Sequence, residues 1–391
     1  MPMSNYPTSK IKKCFSIYEL VFLLVLLLTI RYVLLVTLGV NPIASVLFAA
    51  SCAVAFGIGV ICFLFDPQDM VSLIGLLTII LIYYMLWANG KLDGIQSTLS
   101  IVIAVLFLLA FKTEHNFYKA EKAYKVLVTA TAFILCLLMF FGKSFVQGHL
   151  LYYMLNGNQS ALFLLCFFLN IYLFKYNCSK KELNLLYNVL LILLGYGCFR
   201  TGCRSVLLII AVLFIIQFIN RISIRLLKII TFFTLAFSVL LPFCTASVIS
   251  ILGEDFTLFG ETIYTGREIL WGNIVSKILN TPFQTRLGEN VPVVGMAYYG
   301  AGLNSHNAFL EIAWRYSLPA AVLFIIVLWC QVRHLLKTVS PSLLKRILPV
   351  MCAIFIHMSV ESTFFVGAID FSLLVLLPIV IAVNKERRTE K

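Results

Sequence analysis

Residues 17–38 read IYELVFLLVLLLTIRYVLLVTL, a run in which only Glu19 and Arg31 are charged. A helix needs about 20 apolar residues to cross about 30 Å of hydrocarbon, and this run has that length. Lys10, Lys12 and Lys13 precede it, as basic residues do in a secretory signal. The run has spanning length and no small-residue cleavage site, so it reads as a first membrane helix.

Working outward, comparable runs recur at about 43–64, 70–87, 97–111, 126–141, 158–176, 185–200, 205–219, 229–252, 314–332, 347–366 and 369–384. They predict an all-α polytopic integral membrane protein of about 12 transmembrane helices, a single transmembrane domain over residues 1–391. Composition points the same way. Of the 391 residues 61% are hydrophobic and 12% charged, with a mean hydropathy of +0.99; soluble domains run at roughly half and about a quarter. An ordinary soluble enzyme, a disordered tail, a collagen and a small disulfide scaffold are all excluded. The 11 cysteines sit mostly singly in apolar runs, as at Cys62, Cys136, Cys166 and Cys352, without zinc or CxxC spacing. They read as small core hydrophobes.

Thirty Lys and Arg against 17 Asp and Glu give a formal charge of +13. In a soluble chain that would suggest nucleic acid; here it is a question of sidedness, and no nucleic-acid partner is expected. Positive residues favour cytoplasmic segments. With the N-terminus inside, the interior segments hold Lys10, Lys12 and Lys13; Lys112, Lys119, Lys122 and Lys125; Lys175, Lys180 and Lys181; Arg221, Arg225 and Lys228; Arg333, Lys337, Lys345 and Arg346; and Lys385, Arg387, Arg388 and Lys391. The outside keeps few, and both termini are expected in the cytoplasm. The connection over 253–305, between spans 9 and 10, is then external. Its length, its Gly, Pro and Asn content and its paired Tyr298 and Tyr299 suit a partly helical cap over an active site. No internal repeat of the inverted-transporter kind is visible.

Three segments carry groups capable of chemistry. In Arg200-Thr201-Gly202-Cys203-Arg204-Ser205, two arginines stand four apart at the external junction of two spans. They read either as interface residues that snorkel or cap a helix end, or as an anion site. On a continuous helix both would share one face. In Thr265-Gly266-Arg267-Glu268-Ile269-Leu270-Trp271, Arg267 starts an amphipathic helix. It reads as a second anion ligand or as a surface partner of Glu268 or Glu261. In Ser305-His306-Asn307-Ala308-Phe309-Leu310-Glu311, the chain passes from the loop into the tenth span. An imidazole there can take a proton from a sugar hydroxyl if a neighbour fixes its tautomer; the plainer reading is a capped helix start with an interface histidine.

His115 and His334 fall in interior loops and His149 in a short external one, so His306 and His357 are the two near the external face. Glu361, an intramembrane carboxylate, and Asp370 lie near the same face and suit structural partners for an arginine, Glu361 also serving as a candidate substrate contact. No external cluster has metal-ligand spacing, and no Walker loop, Rossmann fingerprint or external GxSxG elbow occurs.

In order, Thr201-Gly202-Cys203-Arg204, Thr265-Gly266-Arg267 with Trp271 one turn on, and Ser305-His306-Asn307 with Phe309 and Leu310 resemble the signature of the O-antigen ligase and polysaccharide polymerase superfamily. The resemblance covers roughly 195–330 by motif and the whole chain by topology. It implies a GT-C-like membrane glycosyltransferase in the cytoplasmic (inner) membrane, working without metal or cofactor on a glycan carried by undecaprenyl pyrophosphate. Arg204 and Arg267 are the positions expected to bind the pyrophosphate and His306 the one expected to act on the acceptor hydroxyl; Arg200, Trp271, Asn307 and Glu361 are expected around the substrate. Where the family has serine, glycine and glycine, this chain has Cys203, Ser205 and Ser317. All are small, which preserves close helix packing.

Members of the superfamily differ in acceptor. The expectation is a polymerase joining lipid-linked repeat units into a capsule, O-antigen or exopolysaccharide, because no extra domain for a protein acceptor is evident. A ligase delivering the glycan to lipid A core is the alternative, and a lipid-linked oligosaccharide flippase a second. Expected partners are lipid-linked donor and acceptor, the bilayer, a chain-length regulator and a flippase.

Overall fold

Inside hydrocarbon every backbone N–H and C=O must be satisfied within the segment, so long apolar runs fold as helices. The structure, a computed structural model, describes residues 17–38, 42–65, 69–90, 95–112, 117–141, 145–146, 149–150, 157–176, 178, 180–218, 223–252, 257–258, 261–262, 267–287, 289, 305–361 and 369–389. Each apolar run of the sequence falls on a helix. These are α1 (Ile17–Leu38), α2 (Pro42–Phe65), α3 (Met70–Ala88), α4 (Ile95–Leu109), α5 (Glu121–Phe141), α6 (Gly157–Tyr176), α7 (Lys181–Arg200), α8 (Arg204–Phe218) and α9 (Ile224–Leu252). After α10 (Arg267–Asn280) and α11 (Ala308–Tyr316) come α12 (Leu318–Thr338), α13 (Pro341–Val360) and α14 (Ile369–Thr389).

Among the described residues eight helices are long and apolar enough to cross a bilayer, and Thr98–Lys112, Ser160–Lys175 and Arg204–Ile216 are shorter apolar helices. The chain is a polytopic α-helical membrane protein. Its extended pairing among the described residues is confined to two-residue antiparallel hairpins: β1 (Phe145–Val146) with β2 (His149–Leu150), and β3 (Thr257–Leu258) with β4 (Glu261–Thr262).

Two boundaries differ from expectation. The apolar run at 314–332 is not one helix: Ser317, at φ 115°, separates α11 from α12, and Pro319 stands in the first turn of α12. Proline at a helix start needs no N–H donor there, so it marks an entry that continuous apolarity hides. The run at 347–366 ends as a helix at Val360; Glu361 follows with extended backbone (φ −143°, ψ 141°), and 362–368 lie outside the described residues.

The described chain divides into two compact units. The first holds α1, α2, α5, α6, α7 and most of α14. Tyr32, Phe163 and Phe167 interlock at its centre with ring centroids 4.7 to 6.0 Å apart. A Cβ at Gly197 would lie 2.5 Å from Met139 Sδ, so a larger residue there would displace the Met139 thioether where α7 packs. Pro378 inside α14 has no N–H to offer Leu374 C=O four residues back. Asn170 Nδ2 donates to that carbonyl instead at 2.9 Å, and Tyr124 Oη, 3.1 Å from the same carbonyl, has its one proton nearest Asn170 Oδ1 at 2.7 Å.

The second unit holds α3, α4, α8 to α13 and the first turn of α14. Its axis is α13, packed against α8, α9 and α11, with 78% of its apolar stretch buried. Ser340 caps α13 by accepting from Leu343 N–H, with Pro341 at the first helical position. Lys228 Nζ, in the first turns of α9, donates to Leu336 C=O at 2.7 Å and neutralises the end of α12.

Candidate functional site

Three polar segments of the second unit meet at the far end of α13. Glu361 follows its last turn; Arg267 opens α10; His306 stands just before α11. Glu361 uses both carboxylate oxygens. Oε1 accepts from Arg267 Nη2 and Oε2 faces His306 Nδ1, each at 3.1 Å. The Glu361 side chain is 9% exposed, against 27% for Arg267 and 28% for His306, so a buried carboxylate holds two groups that stay open to the surroundings. Burial raises the Glu361 pKa, but the His306 hydrogen bond and the charges of His306, Arg267 and His357 outweigh it and hold the acid below its usual range.

The turn before α11 explains how His306 is held. Ser305 is fully buried and engaged at all three polar groups: its N–H donates to Glu311 Oε2 (2.7 Å), its C=O accepts from Trp271 Nε1 (2.6 Å) and its Oγ donates to Asn307 C=O (2.8 Å). Glu311 Oε1 accepts in turn from Arg315 Nε at 2.5 Å. Asn307, also fully buried, caps α11 by accepting from Leu310 N–H at 2.9 Å, while its Nδ2 donates to Ser238 C=O in α9 (2.9 Å) and Ser359 C=O in α13 (3.2 Å). Between these two anchored residues His306 adopts φ 52°, a left-handed conformation that histidine tolerates better than most side chains.

The far end of α10 is fastened too. Arg286 is buried, lies 4.9 Å above the Trp314 ring, donates to Lys277 C=O at 3.2 Å and bonds Thr281 Oγ1. Its backbone N–H donates to Trp314 C=O at 3.2 Å. A guanidinium at a helix C-terminus satisfies carbonyls that have no partner in the helix, and here it seats α10 on α11.

Of the residues expected at a site, the structure brings together Arg267, Trp271, His306, Asn307 and Glu361. Arg267 pairs with Glu361, 94 positions along the chain. Trp271 and Asn307 are spent on protein carbonyls, so they position the site and offer a substrate no free polar group among the described contacts. Arg204 opens α8, is exposed, and makes no hydrogen bond or ion pair among the described residues. Arg200 belongs to the first unit, where its Nη1 donates to Tyr196 Oη at 3.0 Å and its guanidinium lies 5.9 Å from the same ring. A shared helical face for Arg200 and Arg204 is ruled out: α7 ends at Arg200, Gly202 takes φ 69°, and α8 begins afresh at Arg204. Cys203 Sγ and Ser205 Oγ, two of the three small departures, are 3.2 Å apart.

Thr265, Gly266, Tyr298 and Tyr299 lie outside the described residues, as do 253–256, 259–260, 263–266, 288 and 290–304 of the expected cap. Among the described residues no group of three or more His, Cys, Asp and Glu has the geometry to hold a metal ion. Sequence reading passed over Glu311, Arg286 and Ser238. Glu311 carried a signal, standing four residues before Arg315; Ser238 carried one only through Pro242 four residues on, and Arg286 carried none. No protein-family model, curated protein or solved structure matches the chain.

Proposed function

We propose that the protein is a membrane-embedded glycosyltransferase that joins undecaprenyl-pyrophosphate-linked repeat units into a surface polysaccharide. The observation that carries this reading is the Arg267–Glu361–His306 arrangement. A carboxylate on Nδ1 orients the imidazole and leaves Nε2 to accept a proton, as a general base requires. Beside it, Arg267 gives one N–H bond to Glu361 and retains further donors on the same fork.

In the proposed reaction an acceptor sugar hydroxyl attacks the anomeric carbon of the donor glycan. Its proton passes to His306 Nε2, and the bond from that carbon to the pyrophosphate oxygen breaks. Negative charge grows on the departing lipid pyrophosphate, where Arg267 and Arg204 contribute most, because charge is stabilised where it develops. The distribution of lysine and arginine supports twelve spans with both termini in the cytoplasm and this site at the external face.

The test is the length and sidedness of lipid-linked glycan in cells carrying His306→Ala. A polymerase leaves single repeat units on the carrier at the external face, with a rate loss of about 10²- to 10⁴-fold. Long polymer on the carrier would make the protein a ligase, and cytoplasm-facing single units a flippase. Wild-type polymer would remove His306 from the chemistry.

A further inference from the structure

We infer that Pro242, inside α9, is a positioning residue for His306, acting through the Asn307 amide; the catalytic consequence rests on the glycosyltransferase reading above, the positioning does not. In a continuous helix Ser238 C=O would accept the N–H of residue 242. Proline has none, and its ring crowds that carbonyl. The Ser238 hydroxyl does not fill the gap, because it donates to Leu235 C=O at 2.7 Å. The vacated carbonyl is the one that Asn307 Nδ2 meets at 2.9 Å.

The second hydrogen on Nδ2 goes to Ser359 C=O at 3.2 Å, in the last turn of α13, where the helix supplies no further donor. With Oδ1 capping α11, one amide joins three helices at carbonyls or amides that each helix leaves unpaired. Aspartate would lack both donors, and glutamine would carry the amide one methylene further out. His306 is the residue immediately before Asn307, and its Nδ1 has to meet Glu361, two residues after Ser359 on the same strand of chain. The position of α9's proline therefore fixes where the imidazole stands relative to its carboxylate. The chain uses the same device in the first unit, where the carbonyl vacated by Pro378 is filled by Asn170.

The test reads His306 directly. Full-length protein in lipid nanodiscs is treated with diethyl pyrocarbonate, and modification of each histidine is followed by peptide mass spectrometry. Pro242→Ala restores the N–H, draws Ser238 C=O back into the helix, and should speed His306 modification by about fivefold, the factor one net hydrogen bond is worth. Asn307→Ala should do the same, and the double variant should be no faster than Asn307→Ala alone. Lactic acid placed at position 242 by nonsense suppression lacks an N–H, as proline does, and should keep the wild-type rate at all histidines. A wild-type His306 rate in Pro242→Ala, multiplied effects in the double variant, or a lactic-acid protein that behaves like or unfolds like Pro242→Ala would each overturn the inference. If Pro242→Ala alone unfolds, the lactic-acid protein decides. In the transfer assay Pro242→Ala should lower kcat and leave KM in place. Full activity of His306→Ala alongside the expected modification pattern would remove the glycosyltransferase reading and leave the positioning role standing.

Discussion

Trp271 donates its indole N–H to Ser305 C=O at 2.6 Å, so the helix that begins with Arg267 is tied to the residue before His306. Trp271 as a whole is 4% exposed. Trp271→Phe keeps most of that burial and removes only the donor, leaving a buried carbonyl without a partner. Such an orphan costs about 1 to 3 kcal/mol. The variant should melt at lower temperature in nanodiscs and lose transfer activity, since Arg267 and His306 are no longer held in register. An unchanged melting temperature would show that the bond contributes nothing.

Glu361→Gln keeps the shape of the bridge and removes its charge. The wild-type acid is shifted down in the folded protein, below an unfolded value of about 4.3, chiefly against the opposing effect of burial, by the His306 hydrogen bond and the charges of His306, Arg267 and His357. A lowered pKa stabilises the fold fully above the unfolded value and is lost as pH falls through the folded one. Wild type should therefore melt higher than Glu361→Gln at pH 7, and the gap should close below about pH 4. Activity at neutral pH should fall by tenfold or more, toward the loss typical of a mispositioned base. A gap that stays constant with pH would mean the carboxylate is not the stabilising group.

The helices were legible because spanning length and apolarity are local properties; the runs fell on helices, except that the one at 314–332 is divided at Ser317 and the one at 347–366 is helical only to Val360. The site was legible only in its parts. His306, Arg267 and Glu361 each stood out as polar groups at the edge of apolar runs, but the pairing of Glu361 with residues 94 and 55 positions away depends on how α9, α10 and α13 pack. Nothing in a linear reading assigns Asn307 to Ser238 C=O, although the Pro242 that vacates that carbonyl is plain in the sequence. The spacing of four between Arg200 and Arg204 would give a shared face only on a continuous helix, and the break between α7 and α8 at Gly202 removes that condition.

Ser317 stands where the superfamily that the sequence resembles would have glycine, and backbone conformation rather than close packing is what the position requires. Its φ of 115° lies where side chains other than glycine's are strained, typically by about 1 to 3 kcal/mol. Ser317 Oγ returns part of that by accepting from Ala320 N–H at 3.5 Å as the cap of α12, a role in which glycine costs only a few tenths of a kcal/mol. Ser317→Gly should therefore stabilise the protein by about 1 kcal/mol and Ser317→Ala should destabilise it. Thermal melting of the two variants beside wild type decides the matter; a less stable glycine variant would mean the hydroxyl matters more than the backbone.

Arg204 differs from every other arginine discussed because none of the described residues gives it a hydrogen bond or ion pair. It is exposed and opens α8, where a positive charge opposes the helix dipole. A residue placed against its own helix is not there for stability, so Arg204→Ala should leave melting unchanged or raise it slightly. If the guanidinium meets a pyrophosphate, the same substitution should remove most transfer activity. Arg204→Lys sharpens the comparison: charge is kept, but the planar fork that takes two phosphate oxygens together is lost. A purified-protein assay on lipid-linked glycan should find Arg204→Lys impaired by at least about tenfold, the value of one charge-assisted hydrogen bond, and unaffected by added divalent metal. Full activity of both variants, with melting as predicted, would leave Arg204 a solvated surface residue and move the pyrophosphate to other cations.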